Sequence, residues 1–443
     1  MAGCKTQNPP VAPVDLSAVK PSGAGTVERM EGINYVMNAP TGKNPDDMFF
    51  VQVDASKCEG CGECEEYCPT GAMQEQEDGT RIIVDPVACV NCGQCMINCP
   101  YGAIQEEVSF VDELFEKLKD PDTVVVSMPA PAVRYALGEC FGSGTGQYVG
   151  GKMHTALRKL GFDFIWDTEF AADVTIMEEG TELIQRVKAG GKGDHPLPQF
   201  TSCCPGWIKF CETFYPDLIP NLSTCKSPIA MEGPLAKTYG AKQTGTDPKK
   251  VYTVSIMPCV GKKYEGLRPE MNASGYRDID ATINTRELAY MIKKAGIDFM
   301  ALEDSEPDPA LGASTGAATI FGTSGGVMEA ALRLAYEVLS GKKLEDPNIT
   351  VVRTHEGIKA ADVEVPNFGT VKVAIASGLQ NAAELCEEVR AGKSQYHFIE
   401  VMTCPGGCVN GGGQPLEPGI QEASLFKTMM AKVNKRYNTR KIA

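Results

Sequence analysis

Between residues 58 and 100 one arrangement of cysteines occurs twice, and this repeat restricts the fold more than any other stretch. Cys58, Cys61, Cys64 and Cys68 are followed by Pro69, and Cys89, Cys92, Cys95 and Cys99 by Pro100. Eight thiols in two tandem runs suit iron–sulfur clusters held by four thiolates each. Zinc sites, which take their four ligands as two pairs, fit poorly. The chain has 18 cysteines in 443 residues, and their crowding at intervals of two and three residues favours metal ligation over disulfides. Assembly under reducing, oxygen-poor conditions follows.

The spacing is that of the bacterial two-cluster ferredoxins, in which the fourth cysteine of each run crosses to the other cluster. Cys58, Cys61, Cys64 and Cys99 are therefore assigned to one 4Fe-4S cluster, and Cys89, Cys92, Cys95 and Cys68 to a second. Residues 51 to 106 carry ten Asp and Glu against Lys57 and Arg81, a formal charge of −8 before the clusters are counted.

The 43% of hydrophobic residues suffices for two or three domains with a large core. No apolar run is long enough to span a membrane, and the N-terminus lacks the build of a signal peptide, so any export is expected to depend on a partner. The net charge of −15 argues against nucleic acid and anionic membranes and points to a basic protein or a small neutral substrate. Residues 1 to 45, rich in Pro, Gly, Ser and Ala, read as a loose extension in which Cys4 is an unpaired surface thiol.

After an amphipathic helix from Phe110 to Lys119, strands and helices alternate. Strands are predicted at Thr123 to Ser127, Asp163 to Trp166, Gln199 to Ser202, Val251 to Ile256, Val371 to Ala376 and His397 to Met402. Helices are predicted at Lys152 to Leu160, Thr175 to Ala189, Glu287 to Ala295 and Asn381 to Ala391. Alternation of this kind implies parallel sheet covered by helices, with ligand sites beyond the carboxyl ends of the strands. Cys204, Cys259 and Cys404 fall just past three of these strands, in the stretches Thr201 to Trp207, Met257 to Glu265 and Glu400 to Pro415. Cys408 stands four residues after Cys404, across Pro405, Gly406 and Gly407, where a backbone without side chains would let a bulky inorganic group approach. The Gly-rich run from Ile320 to Val327 reads as following a strand and preceding a helix near Met328, whose N-terminus could face an anionic cofactor or merely pack. It matches no nucleotide-binding pattern, which disfavours nicotinamide. His154, His195, His355 and His397 have no metal-like spacing.

The three cysteine stretches resemble the three signature motifs of the FeFe-hydrogenases, and the likeness extends over nearly all of residues 46 to 415. It implies an α/β catalytic domain with parallel sheets in two lobes over residues 109–415, preceded by an α+β bacterial-type two-cluster ferredoxin domain over residues 46–108. It also implies the cofactor, the H-cluster. In it Cys204, Cys259, Cys404 and Cys408 hold a 4Fe-4S cubane, and Cys408 links that cubane to a two-iron subsite bearing CO, CN and a bridging dithiolate. Lys262 would donate to a cyanide, while Met257, Met402, Pro131 and Phe321 close off water. Adjacent side chains diverge, so one of Cys203 and Cys204 remains a titratable thiol; with Cys204 in the cubane by the likeness, Cys203 is placed to take the proton released when hydrogen is split. Glu179, Glu182 and Arg186 share one helical face, the usual arrangement of a solvated salt-bridged helix. By the likeness they continue the proton path from Cys203 through Glu179, Ser223 and Glu182 to Arg186. Ile229 stands where longer clostridial members have a glutamine beside the subsite.

The function expected is interconversion of H2 with two protons and two electrons, electrons passing through the 4Fe-4S clusters to an external carrier. The alternatives are a hydrogenase-like iron–sulfur assembly protein and a hydrogen sensor, both without turnover. The likeness is closest to the large subunit of two-subunit enzymes, which implies a separate small subunit and periplasmic placement by co-export, or a cytoplasmic one if that subunit is absent. The module's acidity favours a basic cytochrome c as carrier, with ferredoxin as the alternative. The tail, residues 416–443, places Leu425, Met429, Val433 and Tyr437 on one helical face for docking onto the body or a second subunit.

Overall fold

The computed structural model describes residues 11–415, apart from 41–43, 310, 343, 345–348, 355–356 and 367–368. Cys4, His355 and the proposed tail helix lie outside the described residues.

Strands β1 (Val27–Met30), β2 (Ile33–Val36), β3 (Val51–Val53) and β6 (Ile104–Glu106) form one sheet in the order β1-β2-β6-β3. The hairpin β4 (Met73–Glu75) and β5 (Arg81–Ile83) stands beside it. Short helices at Glu63–Glu66 and Gln94–Ile97 each carry the third cysteine of a run and follow a left-handed glycine, Gly62 or Gly93. Residues 11–40 are not the loose extension that the composition suggested. Glu31 and Gly32, both at positive φ, close a tight hairpin that puts Ile33 and Tyr35 fully inside. Two four-residue strands in a Pro- and Gly-rich stretch carry too little periodicity to be read.

The region from residue 124 onward has two sheets. In the first, β11 (Ala281–Asn284), β10 (Val251–Met257), β7 (Val124–Pro129) and β8 (Phe164–Ile165) are all parallel. In the second, β13 (Gly369–Ser377), β14 (Phe398–Met402) and β9 (Gln199–Phe200) are parallel. β12 (Gly357–Val365) adds an antiparallel edge that the alternation did not signal; only Ala361 and Val365 of its nine residues are buried. The fully buried β10, seven apolar or hydroxyl residues long, is what a strand covered on both faces requires. The helix foreseen from Thr175 begins at Thr168, where Asp167 caps it by accepting from the Glu169 N–H at 3.0 Å. The Gly-rich run from Ile320 follows a short helix, not a strand. The N-terminus of the helix after it, Gly326–Ser340, faces a protein carboxylate: Gly325 and Met328 N–H groups each donate to Glu400 at 2.6 Å.

A buried charge network binds these parts together. Lys263 Nζ donates to Glu106 at 2.8 Å and to Glu287 at 2.9 Å. Arg286 donates to Glu106 at 2.6 Å, to Tyr35 Oη at 2.9 Å and to the carbonyls of Gly412 and Gln414. Two cations and two carboxylates, all with fully buried side chains, balance one another. Burial alone would raise Glu106, but Lys263 and Arg286 hold it below the usual carboxylate range.

Candidate active site

The carboxyl ends of β7, β10 and β14 and the turn after β9 converge on one cavity between the two sheets, about 850 Å³ with the space at its open mouth included. Cys204, Cys259, Cys404 and Cys408 all line it, as do Cys203, Lys262, Met257, Met402, Pro131, Phe321 and Ile229. Every lining residue named from the sequence thus meets the others here. A polynuclear group fits the donor set: four thiols from three segments surround a void, and among the described residues no trio of His, Cys, Asp or Glu converges on a single ion. Burial pushes the Cys404 thiol well up, so a thiolate there needs cationic iron beside it.

The glycines around Cys408 act differently from the expectation. A Cβ on Gly407 (φ +94°) would come within 2.6 to 2.7 Å of the Thr323–Ser324 backbone, so the missing side chain admits a neighbouring loop, not a ligand. A Cβ on Gly412 would strike the Cys92 carbonyl and come within 2.7 Å of Gly93 Cα. That close approach seats the ferredoxin module directly on the cavity.

The eight ferredoxin-type cysteines gather in two groups. Cys58, Cys61, Cys64 and Cys99 line one cavity, and Cys68, Cys89, Cys92 and Cys95 another. Cys92 also lines the catalytic cavity, and Gln94 Nε2 donates to the Asn410 carbonyl at 3.0 Å, so the second of these sites is the inner one. Cys61 is exposed and marks the first as the outer one.

Lys262 Nζ donates to the Cys203 carbonyl at 3.0 Å and to Glu265 at 2.6 Å. An ammonium has three protons, and the third is left for a group in the cavity. Glu265, held in turn by the Ser227 hydroxyl, was not singled out in the sequence, although its i+3 spacing from Lys262 was available. Thr403 was missed as well; Cys204 Sγ donates to its hydroxyl at 3.1 Å.

Glu179 and Glu182 are not the solvated face their spacing first suggests. Glu179 is 1% exposed, and burial, reinforced by the Glu182 and Glu400 charges, pushes it up to about 8. Ser223 Oγ donates to Glu182 at 2.8 Å, and Arg186 Nη2 grips the same carboxylate at 2.5 Å. Arg186 also donates to the carbonyls of Asn221 and Leu222 at 3.2 and 2.7 Å. Burial and the Glu179 charge push the Cys203 thiol well up, so it holds its proton at neutral pH. Among the histidines, His154 is buried with Nδ1 2.9 Å from the Ser305 carbonyl, and His397 Nδ1 accepts from the Lys372 N–H at 3.0 Å. His195 is exposed.

The family model "Iron only hydrogenase large subunit, C-terminal domain" matches residues 123–412, and "4Fe-4S dicluster domain" matches residues 57–103. The chain is 59% identical over 395 residues to the periplasmic [Fe] hydrogenase large subunit of Nitratidesulfovibrio vulgaris, covering 89% of this chain and 93% of that one. It is 48% identical over 395 residues to iron hydrogenase 1 of Clostridium pasteurianum, covering 86% of this chain and 68% of that protein. A solved variant of the apo [FeFe]-hydrogenase HydA1 from Chlamydomonas reinhardtii superposes with a TM-score of 0.63 at 38% identity, over 74% of this chain and 88% of that one. The cluster-sized cavity behind four cysteines and the sequence relationship agree: the chain belongs to the FeFe-hydrogenase family.

Proposed function

We infer that this chain is the catalytic subunit of a hydrogenase that interconverts H2 with two protons and two electrons. The observation that carries it is the convergence of Cys204, Cys259, Cys404 and Cys408 with Cys203, Lys262 and Met402 on one cavity, next to Cys92 of a ferredoxin-type site. An iron–sulfur assembly protein needs only the four cysteines, so the surrounding residues favour turnover over that reading. When bound, the H-cluster supplies the redox chemistry.

The protein's share is to place and move protons and to hold the electron clusters. Cys203, neutral at the cavity wall, exchanges a proton with the cavity, and Glu179, poised near neutral pH, passes it on. Ser223, which bears on both carboxylates, links Glu179 to Glu182. Arg186, which has donors and no acceptor, anchors Glu182 at the end of the path. Lys262, with its ammonium kept charged by Glu265 against the cost of burial, fixes an anionic ligand of the cofactor. Cys58, Cys61, Cys64 and Cys99 would hold the outer cluster and Cys68, Cys89, Cys92 and Cys95 the inner one, and these clusters would supply the electron transfer.

Among the described residues no helix is long and apolar enough to cross a membrane. The 59% identity to a periplasmic large subunit supports periplasmic placement together with a separate small subunit. The acidity of residues 51–106 supports a basic cytochrome c as the electron carrier.

Infrared spectroscopy of anaerobically matured protein tests the reading, since CO and CN stretches report the two-iron subsite and their absence would overturn it. Cys203→Ala should keep those bands while turnover falls by about 10²- to 10⁴-fold. A metal-free Cys203→Ala beside an iron-retaining Cys204→Ala would exchange the two roles.

A further inference from the structure

One buried acid lies outside the path from Cys203. Glu232 is fully buried, and neither of its carboxyl oxygens has a hydrogen-bond partner among the described residues. It lies on the helix Pro228–Leu235, whose Pro228 and Ile229 line the cavity; Glu232, four and three residues on, shares their face. Thr168 also lines the cavity, is 2% exposed, and has a hydroxyl with no partner among the described residues. It is near enough for its hydroxyl to favour a Glu232 carboxylate, but burial, the larger effect, and the Asp167 charge oppose ionisation.

Each charged group around this pair is already engaged. Asp167 is gripped by Arg134 at 2.8 and 2.9 Å, accepts from the Glu169 N–H and lies 3.5 Å from His154 Nε2. Arg134 lies 3.4 Å from Glu169 as well. Lys237, on the helical continuation, faces Asp280 at 2.6 Å. The Asp278 carboxylate, near Gly233, is held by the Ala273 and Ser274 N–H groups. A Glu232 carboxylate would thus be a buried charge without a counterion, facing the anion of Asp167.

We propose that Glu232 stands as a neutral carboxylic acid whose O–H orients the Thr168 hydroxyl, making Thr168 a committed hydrogen-bond donor toward an anionic ligand of the cofactor in the cavity. A neutral carboxyl has one proton to donate, and a hydroxyl that accepts it must send its own proton elsewhere. Glu232 is here a positioning residue. The line is separate from the Cys203 relay: Thr168 and Glu179 stand on one helix, eleven residues or about 16 Å apart. The proposal rests on the hydrogenase reading, since it needs an anionic ligand in the cavity.

Infrared spectra of the holoenzyme test it in two regions. In the carbonyl region, wild type minus Glu232→Gln should show the band of a protonated carboxylic acid that persists through neutral pH; carboxylate bands instead would overturn the proposal. In the CO and CN region, Thr168→Val should shift the CN bands. Glu232→Leu should reproduce that shift, and Glu232→Gln, which keeps an N–H donor, should restore the bands toward their wild-type positions. CN bands that stay put in Thr168→Val, or a Glu232→Gln shift equal to that of Glu232→Leu, would overturn the proposal. Absence of CO and CN bands in the wild type would overturn the hydrogenase reading itself, and the proposal with it, which a missing shift alone would not do.

Discussion

The ferredoxin module and the catalytic cavity both gather four thiols around a cluster, but they do so over very different stretches of chain. In the outer ferredoxin-type site three of four ligands lie within seven residues, Cys58 to Cys64, and Cys61 reaches solvent. In the cavity the four cysteines are residues 204, 259, 404 and 408, placed by the turns after three strands, β9, β10 and β14. Local spacing suffices to shape the first kind of site. The second exists only once two sheets have packed, so its integrity depends on residues far from the metal.

Removing one ligand from each kind of site gives the largest contrast. Cys404→Ala should abolish hydrogen turnover and lose the cubane, while Cys61→Ser should disturb only the outer cluster and leave the CO and CN bands unchanged. Iron content and infrared spectra of both variants decide this. An intact cavity in Cys404→Ala would mean that three cysteines hold the cubane unaided.

Next in size is the proton path, which only the cavity has. Glu179→Gln and Glu182→Gln should each lower hydrogen evolution by about 10²-fold or more with the infrared bands in place. Near-normal evolution would mean that protons leave by water alone. Glu179 also carries a stability signature. Its folded pKa of about 8 exceeds the ordinary value near 4.5, so the folded state binds the proton more tightly, and that contribution is lost as pH rises through 8. The melting temperature of Glu179→Gln relative to wild type should therefore climb between pH 5 and 8, and a flat difference would contradict the buried, neutral carboxyl.

How far each region was legible follows from the same contrast. The two groups of ferredoxin-type cysteines were readable because three of the four in each are close neighbours in sequence and the fourth follows the crossing pattern. Past that, alternation located β7, β10, β13 and β14, but it gave no hint of β12, where only Ala361 and Val365 are buried. The cavity cysteines could be grouped only by resemblance, since no spacing connects Cys204 to Cys404. Glu265, Thr403 and Glu232 were missed because a charged or hydroxyl side chain in sequence looks solvated until the fold buries it. The role of Glu106, at the end of a short strand, could not be foreseen at all, because its partners Lys263 and Arg286 lie more than 150 residues away.

That network is the joint between the two regions, and breaking it is the third test. Glu106→Gln leaves Lys263 and Arg286 buried against a neutral amide and should cost about 3–5 kcal/mol. Urea unfolding of the cluster-loaded protein measures it. Separate unfolding of the ferredoxin module in the variant, against a single transition in the wild type, would show that the network joins the two; a loss below about 1 kcal/mol would show that the glycine contacts at Gly93 and Gly412 suffice.

The smallest expected effect lies on the outer face of the ferredoxin module, where the comparison ends at solvent. Residues 51–106 carry a formal charge of −8, and the exposed Cys61 places the outer cluster within that field. Opposite charge steers a carrier to such a face and like charge delays it, by roughly tenfold or more in rate at low salt, and the effect fades once the screening length drops to about 8 Å near physiological ionic strength. A basic multihaem cytochrome c should accordingly exchange electrons faster than an acidic ferredoxin at low ionic strength, and its advantage should shrink as salt is added. Stopped-flow rates with both carriers across a salt series distinguish the cases. A cytochrome rate indifferent to salt, or a ferredoxin that is faster at low salt, would mean that the acidic face is not the docking site, and the charge argument for a basic carrier would fall with it.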